Sequence, residues 1–162
     1  LFVGDLNRAE KGVRMHTDQF HPEGPDNLLI TSVDAALAGQ NTLLAAESLG
    51  YGGVIIGLVR YEAAEVAKLF NLPDYTYPVF GMALGVPNQN HPVKPRLPLE
   101  AVVFKESYQE QTPEVIEAFD RVQTAYAGAR ATDTWSQRLA AQFGQEEPAA
   151  TAELLKKHQL EK

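Results

Sequence analysis

Apolar and polar positions divide the chain into short buried strands and longer helices. Residues 1–6 read as a buried strand that ends in Asp5-Leu6-Asn7-Arg8. Residues 9–25 are polar and carry Pro22, Gly24 and Pro25, a composition that predicts a loop able to cover a site. Asp26 or Asn27 can cap the helix expected next, which runs to Leu49 and stops at Gly50. Its Leu29, Ile30, Val33, Leu37, Leu44 and Leu49 mix with Ala35, Ala36, Ala38, Gly39, Ala45 and Ala46 around most of the circumference. A helix of that kind belongs in a core or in a close helix–helix contact.

The β-branched run Val54–Val59 predicts a buried strand, and Glu62–Phe70 an amphipathic helix with Ala63, Val66, Ala67 and Phe70 on one side. Thr76–Gly85 reads as another buried strand, residues 86–98 as a Pro- and Asn-rich loop, and Leu99–Phe104 as a further strand. Thr112 is placed to cap a helix over Pro113–Tyr126 with Val115, Ile116, Phe119 and Val122 on its apolar stripe. Thr132-Asp133 would cap a second helix carrying Trp135, Leu139 and Phe143, and a third begins near Pro148. Strands and helices alternating in this way point to a mixed α/β or α+β layered domain.

Composition narrows the chemistry. The 162 residues fit one domain. A net charge of −7 argues against nonspecific nucleic-acid binding, so any anion site must be local. The absence of cysteine excludes a disulfide framework, a thiolate metal site and a Cys nucleophile. No stretch approaches the ~18 uninterrupted apolar residues of a membrane span, and the reading is a cytoplasmic chain with no membrane partner. His16, His21, His91 and His158 show no metal-ligand spacing and read as surface residues, so no metal is expected. Ser48 lacks a hydrolase nucleophile context, and Asp34 and Glu47 read as buried or capping residues of a helix; no catalytic side chain is assigned.

Two segments carry candidate binding chemistry. In Ala45-Ala46-Glu47-Ser48-Leu49-Gly50-Tyr51-Gly52-Gly53-Val54-Ile55-Ile56-Gly57, a helix ends at a glycine and leads into a glycine-flanked strand whose backbone amides can face a flat polar ligand. In Lys94-Pro95-Arg96, proline fixes the backbone between two cations, an arrangement suited to a phosphate or another dianion. With Gln40-Asn41, Pro78-Val79-Phe80-Gly81, Leu84-Gly85-Val86-Pro87, Glu106-Ser107-Tyr108-Gln109 and Asp133-Thr134-Trp135-Ser136, these segments resemble the nitroreductase family. The likeness is to its oxygen-insensitive NADPH nitroreductases and NADPH–flavin reductases, and it runs in order along nearly the whole chain.

The resemblance implies an α+β layered fold with a central mixed sheet flanked by helices over residues 1–104. Residues 105–162 would form a helical extension that packs on the partner subunit of a homodimer. It also implies that a chain opening on Leu1 lacks an N-terminal segment holding further flavin contacts. FMN would be the cofactor, with Lys94 and Arg96 around its phosphate and Ile55, Ile56, Gly57 and Leu58 against its ring. Arg130, and with it Arg60, would bind NADPH, the co-substrate. Leu58 stands where many relatives have glycine, and its side chain would narrow the substrate side of the pocket. The implied reaction takes hydride from NADPH to FMN and then two electrons to nitroaromatics, quinones or free flavin in a ping-pong cycle. The alternative is a non-catalytic flavin-binding or dimerisation fragment of such an enzyme.

Overall fold

A computed structural model describes residues 1–145 and 149–161. Along the chain the elements are β1 (Phe2–Asp5), α1 (Asn7–Arg14), α2 (Pro25–Ser48), β2 (Gly52–Ile56), a 3₁₀ turn (Gly57–Arg60), α3 (Ala63–Leu69) and β3 (Thr76–Gly85). A 3₁₀ turn (Leu99–Ala101), α4 (Pro113–Ala127), a further 3₁₀ turn (Gly128–Arg130), α5 (Trp135–Phe143) and α6 (Ala150–Lys157) complete them. The chain forms two compact units: the first holds residues 1–89 and 148–162, the second residues 90–147.

In the first unit β3 is the central strand of a three-stranded sheet ordered β1-β3-β2. Its two halves have different partners: Thr76–Phe80 pairs with β1, and Gly81–Gly85 pairs with β2. Both pairings are antiparallel, so the expected mixed sheet has no parallel pair among the described strands. Pro78 sits in the central strand without an N–H to give the ladder, and the register slips between Phe2 and Val3 opposite it.

The long helix α2 differs from expectation in what it buries. Thr31, Ala35, Gly39 and Ala46 are its buried residues, while Leu29, Ile30, Val33, Leu37 and Leu44 are exposed. Small residues face the sheet because the approach is close: a Cβ on Gly39 would fall on the ring of Phe80, which stacks on Phe2 with centroids 4.8 Å apart. Asp34 and Glu47 are exposed on this helix rather than buried. α2 is also the one described helix long and apolar enough to cross a membrane by length and composition, although Asp34, Gln40 and Asn41 interrupt it. Its start is set by Gly24 and Pro25, whereas Asn27 turns its amide back to the carbonyls of His21 and Pro22. At its end Gly50 takes φ +85°, the left-handed conformation that closes helices.

The core of this unit is small and apolar. Ala63, Ala67, Tyr77, Leu154 and Leu160 form it, with Leu6, Leu28, Leu72 and Val79 packed around. The Tyr77 hydroxyl is shared among Thr31 Oγ1 (2.8 Å), Ser32 Oγ (2.7 Å) and the Leu28 carbonyl (2.7 Å), so its polar end is paired inside the fold. α6 and the residues after it close against α3 and β3. Here His158, expected at the surface, is 6% exposed; its Nδ1 pairs with the Thr76 carbonyl at 2.9 Å, and its own carbonyl accepts from the Tyr75 N–H. The expected start of this last helix at Pro148 lies outside the described residues.

Three further expectations shift. Asn7–Arg14, read partly as loop, is a helix with no buried residue, held by Asp5 Oδ1 accepting from the N–H groups of Asn7 and Arg8 and by Arg14–Glu10 and Lys11–Asn7 pairs. Its apolar residues are Ala9 and Val13 alone, too few among the charged ones to mark a buried face. The strand expected at Leu99–Phe104 is a 3₁₀ turn in the second unit, in which the N–H of Ala101 bonds back to the Pro98 carbonyl. The strand expected to be buried over Val54–Val59 ends at Ile56 and, at the sheet edge, leaves Val54 and Ile55 exposed; Gly57 opens a 3₁₀ turn.

The second unit has few buried apolar side chains; Phe119 is its largest, and its ring meets Trp135 edge-on at 5.0 Å. Helix α5 is capped by Thr134, one residue later than expected, in a reciprocal box with Gln137. Its first N–H groups are further tied by Asp120 of α4, which accepts from Ser136 N at 2.8 Å and from the Ser136 hydroxyl.

Candidate active site

In the first unit, Ile55 and Ile56 end β2, register-locked opposite Met82 and Gly81, and hand the chain directly to Gly57 and Leu58. Ile55 and Leu58 are exposed, at 48% and 71%, so this turn presents an apolar surface interrupted by a residue without a side chain. Arg60 closes the turn. Its Nη1 donates to the Val79 carbonyl at 2.8 Å, and a Cβ on Gly57 would lie 3.3 Å from its Nη2. The Arg60 carbonyl in turn accepts from the Thr151 hydroxyl at 3.2 Å. Arg60 therefore ties the glycine turn to β3 and α6.

In the second unit, Lys94 and Arg96 are exposed on a proline-rich segment. The segment is fixed from α4: Gln123 Nε2 donates to the Pro95 carbonyl at 2.9 Å and the Tyr126 hydroxyl to the Pro92 carbonyl at 3.0 Å. Arg96 and Pro98 line a groove of about 310 Å³ with Val115, Ala118, Phe119 and Val122 of α4. Arg130 stands exposed at the end of the 3₁₀ turn that follows α4.

The arrangement thus gathers Ile55, Ile56, Gly57, Leu58 and Arg60 at one strand end, and Lys94 and Arg96 on one braced loop. Sequence reasoning did not find Gln123, Tyr126, Asp120 or Arg60's bond to the sheet. A signal existed for Gln123: it continues the apolar stripe four residues after Phe119, where a polar side chain needs a buried partner. Two carboxylates of this unit are held below the usual range. Asp120 is lowered by the Ser136 hydroxyl first and then by backbone N–H groups, and Glu114 by the Thr112 hydroxyl and its own N–H.

The nitroreductase family model matches residues 6–86, half the chain, and the model of the family's C-terminal domain matches residues 94–162. The chain belongs to the nitroreductase family. Nitroreductase relatives agree on the subgroup. The chain is 46% identical over 115 residues to an NADPH-flavin oxidoreductase of Vibrio harveyi, a match covering 68% of this chain and 48% of that protein. It is 42% identical over 118 residues to an oxygen-insensitive NADPH nitroreductase of Salmonella typhimurium, covering 70% of this chain and 49% of that protein. The solved structure of nitroreductase A from Vibrio parahaemolyticus superposes with a TM-score of 0.86 at 36% identity, covering 98% of this chain and 65% of the other. This nitroreductase chain spans roughly half of the length of such curated relatives, 48% and 49% for the two named. The α+β fold expected from the sequence is therefore the family's fold.

Proposed function

We propose that this chain is the flavin-binding and dinucleotide-binding part of an NAD(P)H-dependent FMN oxidoreductase of the nitroreductase type. The observation that carries the reading is the braced Lys94-Pro95-Arg96 segment, two exposed cations on a backbone fixed by buried and half-buried side chains. A dianionic phosphate suits that donor set, Arg as a planar fork and Lys as a point charge. Gly57 adds a side-chain-free turn between exposed apolar residues, which fits a flat ring. FMN, when bound, supplies the redox chemistry, accepting hydride from NADPH and passing two electrons to a nitroaromatic, a quinone or free flavin.

The protein's own work is position and electrostatics. Lys94 and Arg96 are assigned to a phosphate, and Ile55, Ile56, Gly57 and Leu58 to a flavin ring, where backbone N–H groups favour a more electron-rich partner. The Leu58 side chain restricts the substrate side. Arg130 is assigned to the 2′-phosphate of NADPH, and Arg60, anchored to β3, to the same dinucleotide. The exposed Leu29, Ile30, Val33 and Leu37 of α2 support a homodimer, and the composition supports a cytoplasmic enzyme.

The test is visible absorbance of the purified chain after incubation with FMN and gel filtration, then NADPH added under nitrogen. Retained yellow colour that bleaches supports the oxidoreductase. Colour that is retained but does not bleach would leave a flavin-binding protein without turnover, and no retained flavin would remove the reading.

A further inference from the structure

Resting on the phosphate assignment above, we infer that Gln123 and Tyr126 are positioning residues that aim Lys94 and Arg96 by gripping the backbone on either side of Lys94. Residues 90–97 make no backbone–backbone hydrogen bond among the described residues. Prolines at positions 92, 95 and 98 deprive the segment of donors while leaving their carbonyls free to accept. The carbonyls of Pro92 and Pro95 are three residues apart, and so are their donors, Tyr126 and Gln123, which share one face of α4. Lys94 stands between the two anchors, and Arg96 immediately follows the second.

Gln123 is 6% exposed and its bond to the Pro95 carbonyl is part-buried, so a substitution leaves that carbonyl without its partner. The Arg96 side chain is guided a second way, along the apolar groove it shares with Val115, Phe119 and Val122 of the same helix. Helix α4 therefore fixes both the backbone between the cations and the direction of one of them. A salt bridge, the usual way to orient an arginine, would have neutralised the clamp; amide and phenol donors orient it without charge.

The experiment is a pair of titrations of the full chain, one with FMN and one with riboflavin, which lacks the phosphate, followed by flavin fluorescence quenching. Wild type is expected to prefer FMN. Gln123→Leu is expected to weaken FMN binding about three- to tenfold with riboflavin binding unchanged, the size of one net hydrogen bond. Tyr126→Phe keeps the ring and tests the second anchor, with an expected loss of about threefold for FMN alone. Equal losses for both flavins in both variants would show a merely structural role and overturn the inference. Unchanged FMN affinity in both would also overturn it. A wild-type chain that binds the two flavins equally well would instead remove the phosphate assignment, and the positioning role with it.

Discussion

Gly57 leaves a strand whose residues from Gly52 to Ile56 are each registered opposite β3, whereas Lys94 and Arg96 stand on a segment with no ladder, gripped at two carbonyls by one helix. The same contrast holds for the units around them. The first unit closes an apolar core on Leu154 and Leu160, at 1% and 0% exposure, while the second relies on two edge-on aromatic pairs, Phe104–Tyr108 and Phe119–Trp135, a capping box and side-chain-to-backbone bonds. A backbone turn inherits its precision from strand register and tolerates surface change. A cationic loop outside any sheet depends on particular polar side chains, so its geometry is sensitive to single hydrogen bonds. The contrast predicts that packing mutations injure the first unit and polar ones the second.

The largest effect is expected from Leu154→Ala, which empties a fully buried position where α6 meets α3 and β3. A loss of about 3 kcal/mol follows from the transfer and cavity terms, read as a lower midpoint in urea by far-ultraviolet circular dichroism. A loss below about 1 kcal/mol would mean that α6 contributes little to the core and would break the comparison at its apolar end. Next in size, removal of both cations in Lys94→Ala/Arg96→Ala should weaken FMN binding about a hundredfold, since charge-assisted bonds contribute about 1.5–3 kcal/mol each and do not add fully. Riboflavin should bind the double variant as it binds wild type. A matching loss for riboflavin would show that the loop supports the ring rather than the phosphate.

Thr134→Ala is expected to cost about 1 kcal/mol by removing one half of the capping box at the start of α5. The chain has a single tryptophan, and Trp135 directly follows that cap, so its fluorescence reports the unit in which the bond is lost. Thr134→Ser should restore most of the stability because the hydroxyl is kept. Failure of the serine variant to do so would point to packing of the threonine methyl instead of the cap.

Much of this architecture was legible from residue order. The bounds of Thr76–Gly85 were readable to the residue because a run of β-branched and aromatic residues ends in glycine, although the expected burial stops short and Ala83, Leu84 and Gly85 are exposed. The helix over Pro113–Ala127 was readable because proline and an apolar stripe mark its start and face. The Lys94-Pro95-Arg96 segment was visible as a local pattern, whereas the turn at Gly57 was not, because the β-branched run reads on to Val59. What stayed hidden depends on partners far away in the sequence. Gln123 reaches Pro95 across 28 positions, Arg60 reaches Val79 across 19, and His158 is buried by a strand 82 positions earlier. The exposed large residues of α2 were hidden for another reason: helical periodicity shows where apolar side chains lie, and only the sheet shows that the small ones face inward.

The smallest effect concerns the Asp120 carboxylate, which separates the units by chemistry rather than by size. The Ser136 hydroxyl, and after it backbone N–H groups, hold its pKa below the ordinary carboxylate value. The folded chain thus binds a proton there less readily than the unfolded one. The stabilisation is full above the unfolded value of about 3.9 and is lost as pH falls through the lowered folded value. Trp135, the neighbour of Ser136 and the edge-on partner of Phe119, should keep its emission down to about pH 4 and shift only below it. Asp120→Asn keeps the shape but cannot ionise; its emission should already be displaced at neutral pH and stay flat where wild type titrates. An acid transition of the same midpoint in the Asn variant would assign the titration to another carboxylate, for which Glu114, lowered by the Thr112 hydroxyl at the start of α4, is the next to replace.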